Sequence, residues 1–189
     1  MRRLDLIVGP NGSGKSTFVE LSLAPLLPRS VFVNADVIAR QRWPDRAEEM
    51  SYEAAQLAAA ARERLLAQGR SFIAETVFSH PSKLELLDRA HAAGYVVVLH
   101  VMLVPETMSV LRVAQRVASG GHAVPEDKIR TRYRRLWPLV VEAVRRADEA
   151  TVYDTASGTP VVVAQFAAGV PVGAVRWPRW APAALTGLG

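Results

Sequence analysis

Short apolar runs alternate along this chain with segments whose apolar residues recur at helical spacing. Residues 4–8 predict a short buried strand, followed by a glycine-rich turn and a helix over 15–23 that Pro25 and Pro28 end. A second strand is expected over 31–35. An alanine-rich helix over 46–68 is stopped by Gly69. A third strand (71–75) leads to a helix over 81–93, opened by Pro81 and closed by Gly94. The run 95–104 is nearly all apolar and β-branched, as suits a central strand covered on both faces. Pro105 opens a helix to Ala118, ended by Gly120 and Gly121. A loop through His122 and Val124 precedes a helix from Pro125 that is expected to kink or break at Pro138. Strands over 151–154 and 160–166 complete the set. Beyond residue 169 the chain turns rich in proline and tryptophan without periodicity. Residues 1–169 therefore read as one domain and 170–189 as an irregular tail. Strand–helix alternation of this kind predicts an α/β fold with a mostly parallel sheet, helices on both faces and right-handed crossovers. Ligands in such a sheet sit at the C-terminal ends of the strands, so the residues just after each strand carry the functional reading.

Composition adds boundaries to this picture. At 189 residues, 50% hydrophobic and 22% charged, the chain is long enough for a real core and is not of disordered or collagen-like type. With no cysteine there is no disulfide scaffold, cysteine zinc site or thiol nucleophile. The net charge of +5 would suit a phosphate-bearing partner. However, only Lys15, Lys83 and Lys128 are lysines among the 23 basic residues, and acidic residues are interleaved with the arginines, so a nucleic-acid groove is not indicated. No run is long and apolar enough to span a bilayer. Asp5 and the turn at residues 9–12 interrupt the N-terminal apolar run and no cleavage signal follows, so no signal peptide is read and the cytoplasm is the expected compartment.

The first strand runs into Gly9-Pro10-Asn11-Gly12-Ser13-Gly14-Lys15-Ser16-Thr17, a full match to the phosphate-binding loop G-x-x-x-x-G-K-[ST]. Glycines let consecutive N–H groups turn inward on an anion, and the following helix points its positive end at the same place. Lys15 supplies a mobile charge for the β and γ phosphates, and Ser16 a hydroxyl for Mg²⁺. Asp36, after the second strand, reads as a helix cap, a metal-shell ligand or a general base. The base reading is favoured because the site faces the same rim as the phosphate loop. Glu75 and Thr76 follow the third strand, where Glu75 would contact Mg²⁺ through water or bind acceptor hydroxyls; an acid paired with some arginine is the plainer reading. The fourth strand ends without an acid, which disfavours a motor-type ATPase. Arg112 and Arg116 share one helix face. Beyond the Gly-Gly hinge, Arg130 and Arg132 flank the apolar stripe Ile129/Tyr133/Leu136. Two such helices suit a lid that brings arginines over a phosphoryl group, although a solvated basic face accounts for the same pattern. His122 reads as a loop residue rather than a base. Asp154-Thr155-Ala156-Ser157-Gly158, after the fifth strand, lies where a nucleotide base would be, and turn chemistry explains it equally well.

Taken in order, residues 9–17, Asn-Ala-Asp at 34–36, Glu-Thr at 75–76, Arg-Val-x-x-Gly-Gly-His-x-Val-Pro at 116–125 and Ile-x-x-Arg-Tyr at 129–133 resemble the zeta toxin-like family of P-loop kinases. The resemblance covers about residues 4–168 and looks closest to that family's short members. It implies a three-layer P-loop NTPase fold with sheet order 2-3-1-4-5, room for an extra edge strand, and a helical lid. It also implies an ATP- or GTP-dependent kinase that uses Mg²⁺ and, in zeta toxins, phosphorylates the 3′-hydroxyl of UDP-N-acetylglucosamine. By resemblance Asp36 matches the base, Lys15 the phosphate lysine, Arg116 and Arg132 the paired lid arginines, and Glu75 an acid that touches the sugar. Departures are the shorter chain, Gly-Gly-His in the lid, and Asp-Thr-Ala-Ser where many short relatives have Asp-Asn-Ser. The resulting expectation is phosphoryl transfer to a small, sugar-containing hydroxyl acceptor. An antitoxin would be the family's protein partner, with no residue here that specifies one. The competing expectations are a nucleic-acid-end kinase or ATPase and a non-catalytic nucleotide-binding module.

Overall fold

The structure, a computed structural model, describes residues 1–119 and 123–188. Among the described residues, seven strands form one sheet: β1 (Arg2–Val8), β2 (Val31–Val33), β3 (Phe72–Thr76), β4 (Tyr95–Leu103), β5 (Glu149–Asp154), β6 (Val161–Ala167) and β7 (Val170–Pro171). Their order is β2-β3-β1-β4-β5-β6-β7. The first five are parallel in the expected order, and β6 and β7 extend the sheet as antiparallel edge strands. The helices are α1 (Lys15–Phe18), α2 (Ala35–Arg42), α3 (Ser51–Ala67), α4 (Leu84–Ala92), α5 (Glu106–Ala118), α6 (Glu126–Arg146) and α7 (Ala183–Thr186). A π-helical turn over Val19–Leu23 prolongs α1.

Alternation along the central strands divides the core. Leu4, Leu6 and Val8 of β1 and Val97, Leu99, Val101 and Leu103 of β4 face a large cluster closed by α3, α4, α6 and α7. The opposite face carries Ile7, Ile73 and Met102, which pack with Phe18, Val19 and Leu23 from α1 and its π turn. This thinner face also buries charge. Asp5 is fully enclosed, with Arg3 donating Nε and Nη2 to its two oxygens at 2.7 Å and His100 Nε2 3.0 Å from Oδ1. Burial pushes the Asp5 carboxyl up, but the hydrogen bonds from His100 and Arg3 and the arginine charge outweigh it, so its pKa lies below the ordinary value.

Three sequence expectations change. The helix expected to break at Pro138 continues through it. Pro138 is exposed, so the bond it cannot make is lost on the solvent side, while Leu136, Trp137, Val140 and Val141 hold the other side in the core. The expected irregular tail is ordered in part: residues 170–171 pair with β6, Arg176 N–H donates to Val163 O at 2.7 Å, and Leu185 and Leu188 are buried in the main cluster. Its apolar residues serve tertiary packing rather than a helical face, which is why no periodicity marks them. Finally, a helix follows β2 at once, capped by Asn34 rather than by Asp36.

Candidate active site

The loop between β1 and α1 is shaped by close approach. At Gly9 (φ +150°) a Cβ would lie 2.5 Å from Met102 O, and at Gly12 (φ +71°) it would lie 2.9 Å from Ser109 O. Larger residues therefore collide with the backbone of neighbouring elements. Three side chains fasten the loop from outside. Ser109 Oγ donates to Asn11 O at 2.6 Å; Thr155 Oγ1 donates to Ser13 O and Leu103 O, each at 3.0 Å; Arg112 donates to Thr155 O at 2.9 Å, Ala156 O at 3.0 Å and Gly12 O at 3.4 Å. The chain after β5 and the first half of α5 thus form the outer wall of the loop. Among the described residues, Asn11 Oδ1 and Ser13 Oγ of this loop are buried without a hydrogen-bond partner. Orphaned polar atoms of this kind mark a place built for a ligand or ordered water.

Lys15, only 7% exposed, donates from Nζ to Pro10 O at 2.8 Å. Burial lowers its proton affinity, Glu75 and Asp36 oppose that effect, and Arg116 adds to it, leaving the ammonium below the ordinary lysine value. Those three side chains therefore act electrostatically on the phosphate-loop lysine. Arg132 is exposed on α6, and no hydrogen bond or ion pair ties it to another described residue. The neighbouring Arg130 is held by Glu126 at 2.8 Å and by Glu106 at 3.4 Å, which clamps α6 to the start of α5. Arg116 lies exposed in the last turn of α5. The proposed hinge residues Gly120 and Gly121, with His122, lie outside the described residues.

On the other side of the loop Ser16, Glu75 and Asn34 meet. Ser16 Oγ donates to Glu75 Oε1 at 3.1 Å and Oε2 at 2.9 Å, and Asn34 Nδ2 donates to Glu75 Oε2 at 2.6 Å. Asn34 Oδ1 accepts from the N–H groups of Asp36 at 2.7 Å and Val37 at 3.1 Å. Asp36 is exposed in the first turn of α2. Thr76 Oγ1 is engaged locally, accepting from Phe78 N–H at 3.3 Å. Phe78 is fully buried at φ +63°, a conformation bulky residues rarely adopt, so core packing holds the bend that follows Thr76. Thr17 is exposed on α1. Asp154 Oδ1 accepts from Ala156 N–H at 2.8 Å, the turn chemistry expected of it. Sequence reasoning missed Ser109, and it quoted Asn34 and Thr155 within longer runs without giving either a role of its own. Only Asn34 had a readable signal, a good capping residue two places before the acid.

A sequence profile of the zeta toxin family matches residues 2–161. An uncharacterised protein of Haemophilus influenzae is 28% identical over 126 residues, 66% of this chain and 88% of its own length. Among solved structures, the AvrRxo1-ORF1:ORF2 complex with ATP resembles 91% of this chain with a TM-score of 0.71 at 18% identity, and this chain spans 60% of that one. The PezAT chromosomal toxin-antitoxin system of Streptococcus pneumoniae gives a TM-score of 0.64 at 13% identity, over 85% of this chain and 71% of the other. The structural likenesses show the fold. With the family match they support a nucleotide-dependent, kinase-like activity and leave the acceptor undefined. No helix among the described residues is long and apolar enough to cross a membrane.

Proposed function

The chain belongs to the zeta toxin family, and from that premise we propose that it transfers the γ-phosphoryl group of ATP or GTP to a hydroxyl of a small, sugar-containing metabolite. UDP-N-acetylglucosamine is the first acceptor to test. The observation that carries this reading is the hydrogen-bonded run beside the phosphate loop from Ser16 through Glu75 to Asn34, the residue that caps the turn bearing Asp36. The loop amides and Lys15 grip the triphosphate, with Thr17 at the start of the helix behind them. Asp36 accepts the acceptor's hydroxyl proton as the new O–P bond forms and the bond to the β,γ-bridging oxygen breaks, so ADP or GDP leaves with that electron pair. Glu75, with Thr76 beside it, orients the acceptor, while Arg116 and Arg132 offset charge on the transferring group.

Ser16 and Glu75 are hard oxygen donors close together, the ligand type Mg²⁺ takes. Among the described residues no group of three His, Asp or Glu side chains could hold a metal alone, so Ser16 with Glu75 would hold Mg²⁺ jointly with water and phosphate oxygens. When bound, the ion would neutralise charge on the β and γ oxygens. An antitoxin-like protein is the partner to look for, by likeness to the PezAT system.

The test is a screen of nucleotide sugars and other hydroxylated metabolites for ADP release, with phosphorylated products identified by mass. Asp36→Asn should retain MgATP binding and lose at least ~10² in turnover. Turnover equal to the parent's would overturn the assignment of the base.

A further inference from the structure

We propose that Asn34 is a positioning residue that sets both acids of the site through one carboxamide, an inference that rests on the kinase reading above. Asn34 is buried at 6% exposure, and both ends of its amide are committed. Its oxygen receives the first-turn N–H groups of Asp36 and Val37 and so fixes the turn that presents the Asp36 carboxylate. Its nitrogen donates to Glu75 Oε2 at 2.6 Å, a short, charge-assisted bond. The orientation of the amide follows from these partners. Turned over, it would set its NH₂ against two N–H donors and its oxygen against a carboxylate.

The same arrangement governs Ser16. Glu75 accepts from Asn34 on one side and from the Ser16 hydroxyl on the other. A hydroxyl that spends its proton on Glu75 keeps its lone pairs for a cation. Asn34 therefore holds the acceptor that keeps Ser16 in its metal-ready orientation, while also capping the helix that carries the base. Of the common capping residues, aspartate would place a second carboxylate against Glu75, and serine or threonine would cap α2 without reaching it. Asparagine alone among them performs both tasks.

Asn34→Ser separates the two roles, since it keeps a capping hydroxyl and loses the donor to Glu75. The experiment titrates Mg²⁺ into full-length protein with mant-ATP as the probe, alongside thermal unfolding, for the parent, Asn34→Ser, Asn34→Ala, Glu75→Ala and the double variant Asn34→Ser/Glu75→Ala. Asn34→Ser keeps the cap but loses a bond to a charged group, so its Tm is expected to fall by about 3–12 °C. Its Mg²⁺ half-saturation for nucleotide binding should rise about 10-fold, as loss of a hydrogen bond to a charged group implies. Asn34→Ala should show the same Mg²⁺ effect and a further fall of about 2–4 °C in Tm from the lost cap. In the Glu75→Ala background, Asn34→Ser should change Mg²⁺ half-saturation less than about two-fold, the signature of an effect transmitted through Glu75. A parent-like Mg²⁺ response in Asn34→Ser, or an equal effect with and without Glu75, would overturn the inference. A parent that binds no mant-ATP at any Mg²⁺ concentration would instead bring down the kinase reading and this inference with it.

Discussion

Replacing Lys15 with methionine should stabilise the nucleotide-free protein while removing its response to nucleotide. The Lys15 ammonium is buried and, among the described residues, donates to Pro10 O. Its lowered proton affinity means that the fold disfavours the charge relative to water, despite the pull of Glu75 and Asp36. Methionine keeps an unbranched apolar stem without the charge. Relief of such a functional conflict commonly raises stability by about 0.5–2 kcal/mol, or roughly 1–8 °C in Tm for a chain of this size. MgATP at 100-fold above its dissociation constant should stabilise the parent by about 2.7 kcal/mol, a shift of roughly 5–11 °C. The pH response has a definite sign. Because the folded pKa lies below the unfolded one, the unfolded chain binds more protons in the interval between them. Lys15 therefore makes the free parent gain stability as pH rises through its folded value toward ~10.4. Lys15→Met should lack that gain. Differential scanning fluorimetry from pH 7 to 10.5, with and without MgATP, reads all three effects. A lower Tm for the free variant, or an ATP shift as large as the parent's, would refute the reasoning.

Two further outcomes follow from features outside the phosphate loop. Asp5→Asn should lower stability at pH 7 by about 1–3 kcal/mol, since it weakens the hydrogen bonds to a buried carboxylate whose arginine partner is one-third exposed. Because Asp5 is held below its ordinary pKa, its contribution is complete above ~3.9 and fades as pH falls through the folded value. The gap between variant and parent in urea unfolding should therefore close below about pH 4, and a constant gap would contradict the sign. Ala168→Asn should stabilise the β6–β7 turn by about 0.5–1 kcal/mol, because Ala168 (φ +47°) precedes Gly169 (φ +77°) in a two-residue connection where asparagine tolerates the left-handed region better. An unchanged or lower urea midpoint would count against it.

The parallel strands were legible because each is an apolar run bounded by glycine, proline or a helical pattern, and because β4, buried on both faces, shows no alternation. Their order came from the resemblance, since no local pattern says that β3 rather than β2 lies beside β1. The phosphate loop was legible because its chemistry demands particular residues in contiguous positions. The rest of the site depends on atoms that composition does not expose. Arg112 and Thr155 bind main-chain carbonyls, which every residue carries, so nothing in the sequence distinguishes their targets. Asp36 is the residue that reads as a possible cap for a following helix, and the geometry gives that task to Asn34. The burial of Leu185 and Leu188 arises from a long return of the chain onto α6, a contact without local signature.

The fastening of α5 to the phosphate loop bears on how Arg116 could act. Ser109 and Arg112 pin the first half of that helix, and Arg116 follows Arg112 by about one turn on the same rigid segment. Its guanidinium bears electrostatically on Lys15. Whatever help it lends a phosphate would thus be preorganised rather than recruited by a sweeping flap, with little reorientation left to perform when substrate arrives.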